Sequence, residues 1–80
     1  MEIKSFIWDE GNLSHFADNE YGIDPQEVEE IFAPDNLIKV VKHKADYLAY
    51  GKTYQDKYLC IPFEYRGNHR ARPITGWLLS

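Results

Sequence analysis

The segment NHRARPITGW, residues 68 to 77, gathers two of the three arginines and one of the three histidines of an 80-residue chain whose formal net charge is −4. Arginine's planar fork donates two hydrogen bonds at once to phosphate oxygens and stays charged at any working pH, which makes Arg70 and Arg72 candidate phosphate clamps. Earlier in the chain, Asn12, His15 and Asn19 recur at i, i+3 and i+7, a polar helical stripe expected to turn away from Leu13 and Phe16. An exposed imidazole exchanges its proton near neutral pH, so His15 is a candidate acid or base. A base for a ribose 2′-hydroxyl, an acid for the leaving 5′-oxygen and cations for the charge gathering on phosphorus make up metal-free phosphodiester cleavage. Asn12 and Lys52 are candidate substrate contacts, and Trp77, Trp8 and the tyrosines offer faces on which bases stack. Each group has a competing structural role. His15 could tie its helix to the sheet, Arg72 could pair with Asp9 or Glu10, and the aromatic rings could supply core area.

Other chemistries find less support. His15, His43, His69 and Cys60 show no metal-ligand spacing, so neither a metal site nor a cofactor is expected. Cys60 falls inside an apolar run, where a thiol acts as a small hydrophobe. The five glycines are scattered and form no phosphate-cradling loop.

The elements that must position these residues follow from periodicity. Residues 3–8 are β-branched and aromatic enough for a first strand. Helical spacing then predicts a first helix over residues 10–20, with Asp9 as its N-cap and Gly22 just past its end. In IDPQEVEEIFAPD, Asp24 caps, Pro25 takes the first helical position, Glu27 completes a capping box and Ile23 staples onto Val28, with Pro34 ending the helix near Ala33. The glutamates of this helix read as a solvated face. Residues 37–43, 46–53, 57–65 and 70–75 then read as strands. The expected fold class is α+β, in the order β-α-α-β-β-β-β, with two N-terminal helices on a mostly antiparallel sheet. Residues 66–69 are expected to form a four-residue hairpin loop, setting Tyr65 opposite Arg70, Phe63 opposite Arg72 and Pro62 opposite Pro73. Both arginines would then share a face with apolar neighbours.

Length limits the chain to a single domain, residues 1–80. Residues 1–35 hold ten acids against Lys4 alone, while residues 36–80 hold three acids against eight bases, so the halves carry −9 and +5. That asymmetry serves equally to bind an anion or to hold the two halves together. A lone cysteine and an N-terminus lacking a basic and an apolar region point to a cytoplasmic protein, and no apolar run is long enough to cross a membrane.

With these residues in order, the chain resembles the BrnT-type toxins of bacterial type II toxin-antitoxin systems. FIWDEGNLSHFADNEYGIDPQEVEEIF, YLAYGKTYQDKYLCIPFEY and RARPITGW carry the resemblance, which covers nearly the whole chain. It implies a RelE-like fold, a ribonuclease that cleaves RNA without a metal, and neutralisation by a cognate DNA-binding antitoxin, through which alone operator DNA is contacted. Self-association into a homodimer stays open. The matching positions with usable chemistry are Trp8, Asp9, Asn12, His15, Arg72 and Thr75. The chain departs from the family at Glu20 and Tyr21, where a lysine-histidine pair is common, and at Gly76 and Trp77, where alanine-arginine is common. Relatives also continue past the position of Ser80 into a basic helix. Each departure subtracts positive charge, and a non-catalytic protein-interaction module on the same scaffold is the alternative.

Overall fold

A computed structural model describes residues 1–79. Their order is β1 (Ser5–Phe6), α1 (Glu10–Ala17), α2 (Pro25–Ile31), β2 (Leu37–His43), β3 (Asp46–Lys52), β4 (Tyr58–Tyr65), β5 (Arg70–Pro73) and β6 (Trp77–Leu78). The expected α+β class holds: two helices lie on a mixed, mostly antiparallel sheet of order β1-β5-β4-β3-β2, with β6 also paired to β4. The parallel pair is β1 with β5.

Both helices begin where their caps dictate. The Asp9 carboxylate accepts the Asn12 amide at 3.0 Å, and the Asn12 side chain accepts the Asp9 amide in return. Asp24 and Glu27 form the same reciprocal box at the start of α2, with Pro25 in its first turn. The first helix is shorter than the spacing predicts, since it stops at Ala17 with Asp18 as its C-cap. Asn19 explains the early stop, because its side chain accepts the Tyr21 amide and donates to the Gly76 carbonyl instead of lying on the helix surface. Gly22, with φ +67°, therefore belongs to the connection between the helices and not to the helix end.

The core lies between the helices and one sheet face. Phe16, Ile23, Val28, Ile31 and Phe32 pack against Ala49, Leu59, Ile61, Phe63 and Ala71. Phe32 meets Phe6 and Phe63 edge to face, with ring centroids 5.2 and 5.3 Å apart. Two glycines are set by close approach. A Cβ on Gly51 would lie 2.7 Å from the Ile31 carbonyl oxygen, where the end of α2 rests on β3. One on Gly76 would lie 2.7 Å from Ile61 Cδ1 and crowd Phe16 and Ile23 as well.

The hairpin between β4 and β5 differs from expectation by one residue, and the difference relocates the candidate arginines. Its partners are Tyr65 with Ala71, Glu64 with Arg72 and Phe63 with Pro73. The loop is tighter than four residues because the Arg66 amide donates to the Arg70 carbonyl at 3.0 Å, leaving Gly67, Asn68 and His69 to turn. All three take positive φ, at 78°, 52° and 60°. Two anchors hold His69 in this left-handed conformation, one from the far end of the chain and one within the hairpin: its carbonyl accepts the Lys4 and Ser5 amides, and its amide donates to the Tyr65 hydroxyl. A one-residue slip exchanges the faces of a strand. Arg70 and Arg72 consequently stand on the side away from the core, and Ala71 and Pro73 point inward. The same slip removes the expected Pro62–Pro73 pairing, and Pro62 instead accepts the Ile74 amide. The expected strand over residues 70–75 ends at Pro73, and a further short strand, β6, follows it with Trp77 opposite Cys60 on β4.

Candidate functional site

The candidate residues separate into a built corner and scattered single groups. The corner lies where α1 meets the end of β5. There the Arg72 guanidinium donates to both Asp9 carboxylate oxygens, Nε to Oδ2 at 2.9 Å and Nη2 to Oδ1 at 3.0 Å. Its remaining amino group lies 3.7 Å from Glu64, the residue opposite on β4. The guanidinium beside Asp9, helped by the Asn12 amide, lowers the pKa of that carboxyl from 3.8 to about 2. Asp9 is thus ionised but too weak a base to take a proton from a hydroxyl at neutral pH. Arg72 in turn is raised by the same hydrogen bond. The internal pairing weighed for Arg72 is the one the structure contains.

Asn12 is 1% exposed and so does not lie on the polar stripe that its spacing suggests. Its amide donates to the Ile7 carbonyl at 2.9 Å and to the Pro73 carbonyl at 2.8 Å, joining the start of α1 to the ends of two strands. Asn19 does the same one loop later by donating to Gly76 at 2.7 Å. Leu13, expected to turn inward, is 41% exposed, so the polar stripe and part of the apolar one exchange places around Phe16. Only His15 of the stripe stays in solvent, and it makes no hydrogen bond among the described residues.

Arg70 holds its own hairpin. Its Nε donates to the Gly67 carbonyl at 3.2 Å and its Nη2 to the Arg66 carbonyl at 2.9 Å. Thr75 is half-buried in the break between β5 and β6, and Trp77 is 45% exposed on β6. Lys52 stands apart. It lies opposite Tyr58 on β4 and 3.4 Å from Asp56, while Arg72 is opposite Glu64 at the strand's other end. At roughly 3.4 Å per residue, the two positions are about 20 Å apart along β4.

Several groups that hold the molecule together carried no separate signal in the sequence. The glutamates of α2 are not merely solvated: Glu29 accepts the Trp8 indole N–H at 2.8 Å, Glu27 binds Lys57 at 2.8 Å, and Glu30 accepts the Tyr54 amide at 3.0 Å. Asn36, 5% exposed, donates to the Glu30 carbonyl and closes the end of α2. Thr53, 1% exposed, accepts two amides in the β3–β4 turn. Trp8 packs edge to face on Phe16 with centroids 5.5 Å apart and donates to Glu29, so its ring serves the fold. Cys60 is buried, and burial pushes its thiol pKa up, away from nucleophilic use.

No group of three or more histidines, cysteines or acids that could hold a metal occurs among the described residues, nor does a helix long and apolar enough to cross a membrane. Comparison with protein-family models, curated proteins and solved structures finds no match for this chain.

Proposed function

We propose that this chain is a RelE-like, BrnT-type toxin of a type II toxin-antitoxin pair, acting on RNA without a metal and held in check by a cognate antitoxin that contacts operator DNA. One observation supports this reading above others. Trp8, Asp9, Asn12, Arg72 and Thr75 carry the family resemblance, and two bonds among them span more than sixty residues of sequence: Asp9 with Arg72, and Asn12 with the carbonyl that follows Arg72. Asp9, Asn12 and Arg72 therefore lie together, and His15 is exposed one turn further along α1. In this reading His15 exchanges the proton, while Arg72, oriented by Asp9, contacts phosphate. Arg70, Thr75 and Trp77 extend the contact along the final strand. Its cations are largely committed to the fold, so turnover is expected to be low.

The second reading, a non-catalytic protein-interaction module, is favoured by that same commitment. Arg72 is met by two carboxylates and Arg70 by two carbonyls. One experiment separates the two. Purified protein is incubated with a structured transcript in the presence of a chelator, and the gene is induced in cells with and without its neighbour. The toxin reading expects cleavage, growth arrest relieved by the neighbouring gene, and a loss of about 100-fold or more in rate for His15→Ala at unchanged melting temperature. Intact transcripts and harmless expression would leave the interaction module.

A further inference from the structure

The cations that the fold leaves unspent are not on the final strand. Of the nine lysines and arginines, Lys52, Lys57, Arg66 and Arg72 meet carboxylates, and Arg70 meets carbonyls. Lys4, ahead of β1, and Lys39, Lys42 and Lys44 form no ion pair among the described residues, and the last three fall together on β2 and the turn that follows it. The one acid between Asn36 and Lys52 is Asp46, which lies opposite His43. Strand β2 is also an edge, paired only with β3, so its outward amides and carbonyls have no strand partner. Its exposed apolar side chains are Ile38 and Val41, 59% and 36% exposed.

The lysines straddle this edge. Lys39 lies opposite Tyr50, which faces Cys60 on the side away from the helices, and its ammonium sits 5.0 Å from the Tyr50 ring centre. Lys42 lies opposite Tyr47, which stacks on the core residue Phe63, and its ammonium sits 4.6 Å from the Tyr47 ring. Cation-ring contacts hold each ammonium beside the strand, one on either face of the sheet. A strand added along β2 would present its own side chains alternately to these two faces and would supply both donors and acceptors to the open edge. A nucleic-acid backbone offers phosphate acceptors and, in RNA, 2′-hydroxyl donors, but not the alternating N–H and C=O groups at strand spacing that the open edge would pair with. A second copy of this chain would set lysine against lysine.

We infer that the β2 edge is a docking site for an extended, acidic segment of a protein partner, bound by strand addition with carboxylates set against Lys39, Lys42 and Lys44. The inference rests on the proposal that a protein partner binds this chain, and it holds whether or not the chain cleaves RNA.

The test uses the intact protein and a blocked peptide of alternating glutamate and valine, matched in length to β2. Amide exchange and chemical shifts are read with the acidic peptide, with a lysine-valine control and with oligouridylate. The acidic peptide is expected to slow exchange of the outward β2 amides, to bind more weakly as salt rises, and to lose about tenfold in affinity for Lys39→Gln/Lys42→Gln/Lys44→Gln. The control peptide should leave β2 unchanged. Absence of protection, or equal binding by the triple variant, would overturn the inference. So would oligouridylate producing the lysine-dependent changes in place of the peptide, which would make the edge a nucleic-acid contact. Self-association of the triple variant, with no peptide bound by either protein, would also overturn it and leave the lysines as guards against aggregation. Transcript cleavage by the same samples judges the nuclease proposal separately.

Discussion

Asp9 does three things at once: it caps α1, fixes the Arg72 fork and carries a carboxyl that the guanidinium holds well below its ordinary pKa. Its depressed pKa has a stated consequence for stability. Because the folded value lies below the ordinary 3.8, its ionised form stabilises the fold above about pH 4, and that contribution disappears as pH falls through about 2. Asp9→Asn keeps a side-chain oxygen for the cap but loses the charge. Thermal melts between pH 7 and 2 should show the variant less stable at neutral pH, with a shallower decline below pH 4 than the parent. Equal slopes would mean that Arg72 does not hold Asp9 in solution. The identity of this pair was half legible in the sequence, because Asp9 announces itself as a cap and Arg72 as a candidate clamp. Their meeting was one of two open roles, since nothing local decides between a ligand's phosphate and a carboxylate sixty-three residues away.

At the scale of elements, local chemistry was readable and register was not. Asp24, Pro25 and Glu27 specify the start of α2 within four positions, and the structure places the helix start there. Substituting Asp24→Ala should cost about 1 kcal/mol in chemical denaturation, because it removes the acceptor for the Glu27 amide. The β4–β5 hairpin shows the opposite case. Its loop sequence suits a turn, but its length depends on His69 adopting a left-handed conformation, which is uncommon for a non-glycine residue. The holding groups are the amides of Lys4 and Ser5, at the other end of the chain. Asn19 is comparable: its spacing suits a helix surface, yet the Gly76 carbonyl takes its amide and α1 stops short. Both departures arise where a distant backbone group outcompetes the local preference.

For the whole molecule, the opposite charges of the two halves are partly explained by bonds between them. Asp9 with Arg72 and Glu27 with Lys57 join the acidic half to the basic one, whereas Lys52 and Arg66 are satisfied within their own half. Asn12 is the neutral member of that junction, and its removal leaves the Ile7 and Pro73 carbonyls and the Asp9 amide without their partner. Asn12→Ala should cost about 2 to 3 kcal/mol and should speed amide exchange in α1 and in residues 71–76 together. Faster exchange confined to α1 would show that the junction does not couple them.

That junction also governs when the chain can finish folding. The bonds of Lys4, Asp9, Asn12 and Asn19 all reach residues 69–76, so a nascent chain carries its first helix long before the partners for it have been translated. Hairpins β2–β3 and β3–β4 join near neighbours and can close first, while α1 waits for the last hairpin at the entropic cost of a loop of some sixty residues. Residues 1–76 must thus be made before the corner that holds Arg72 can assemble, which delays any activity residing there until the last hairpin has been translated.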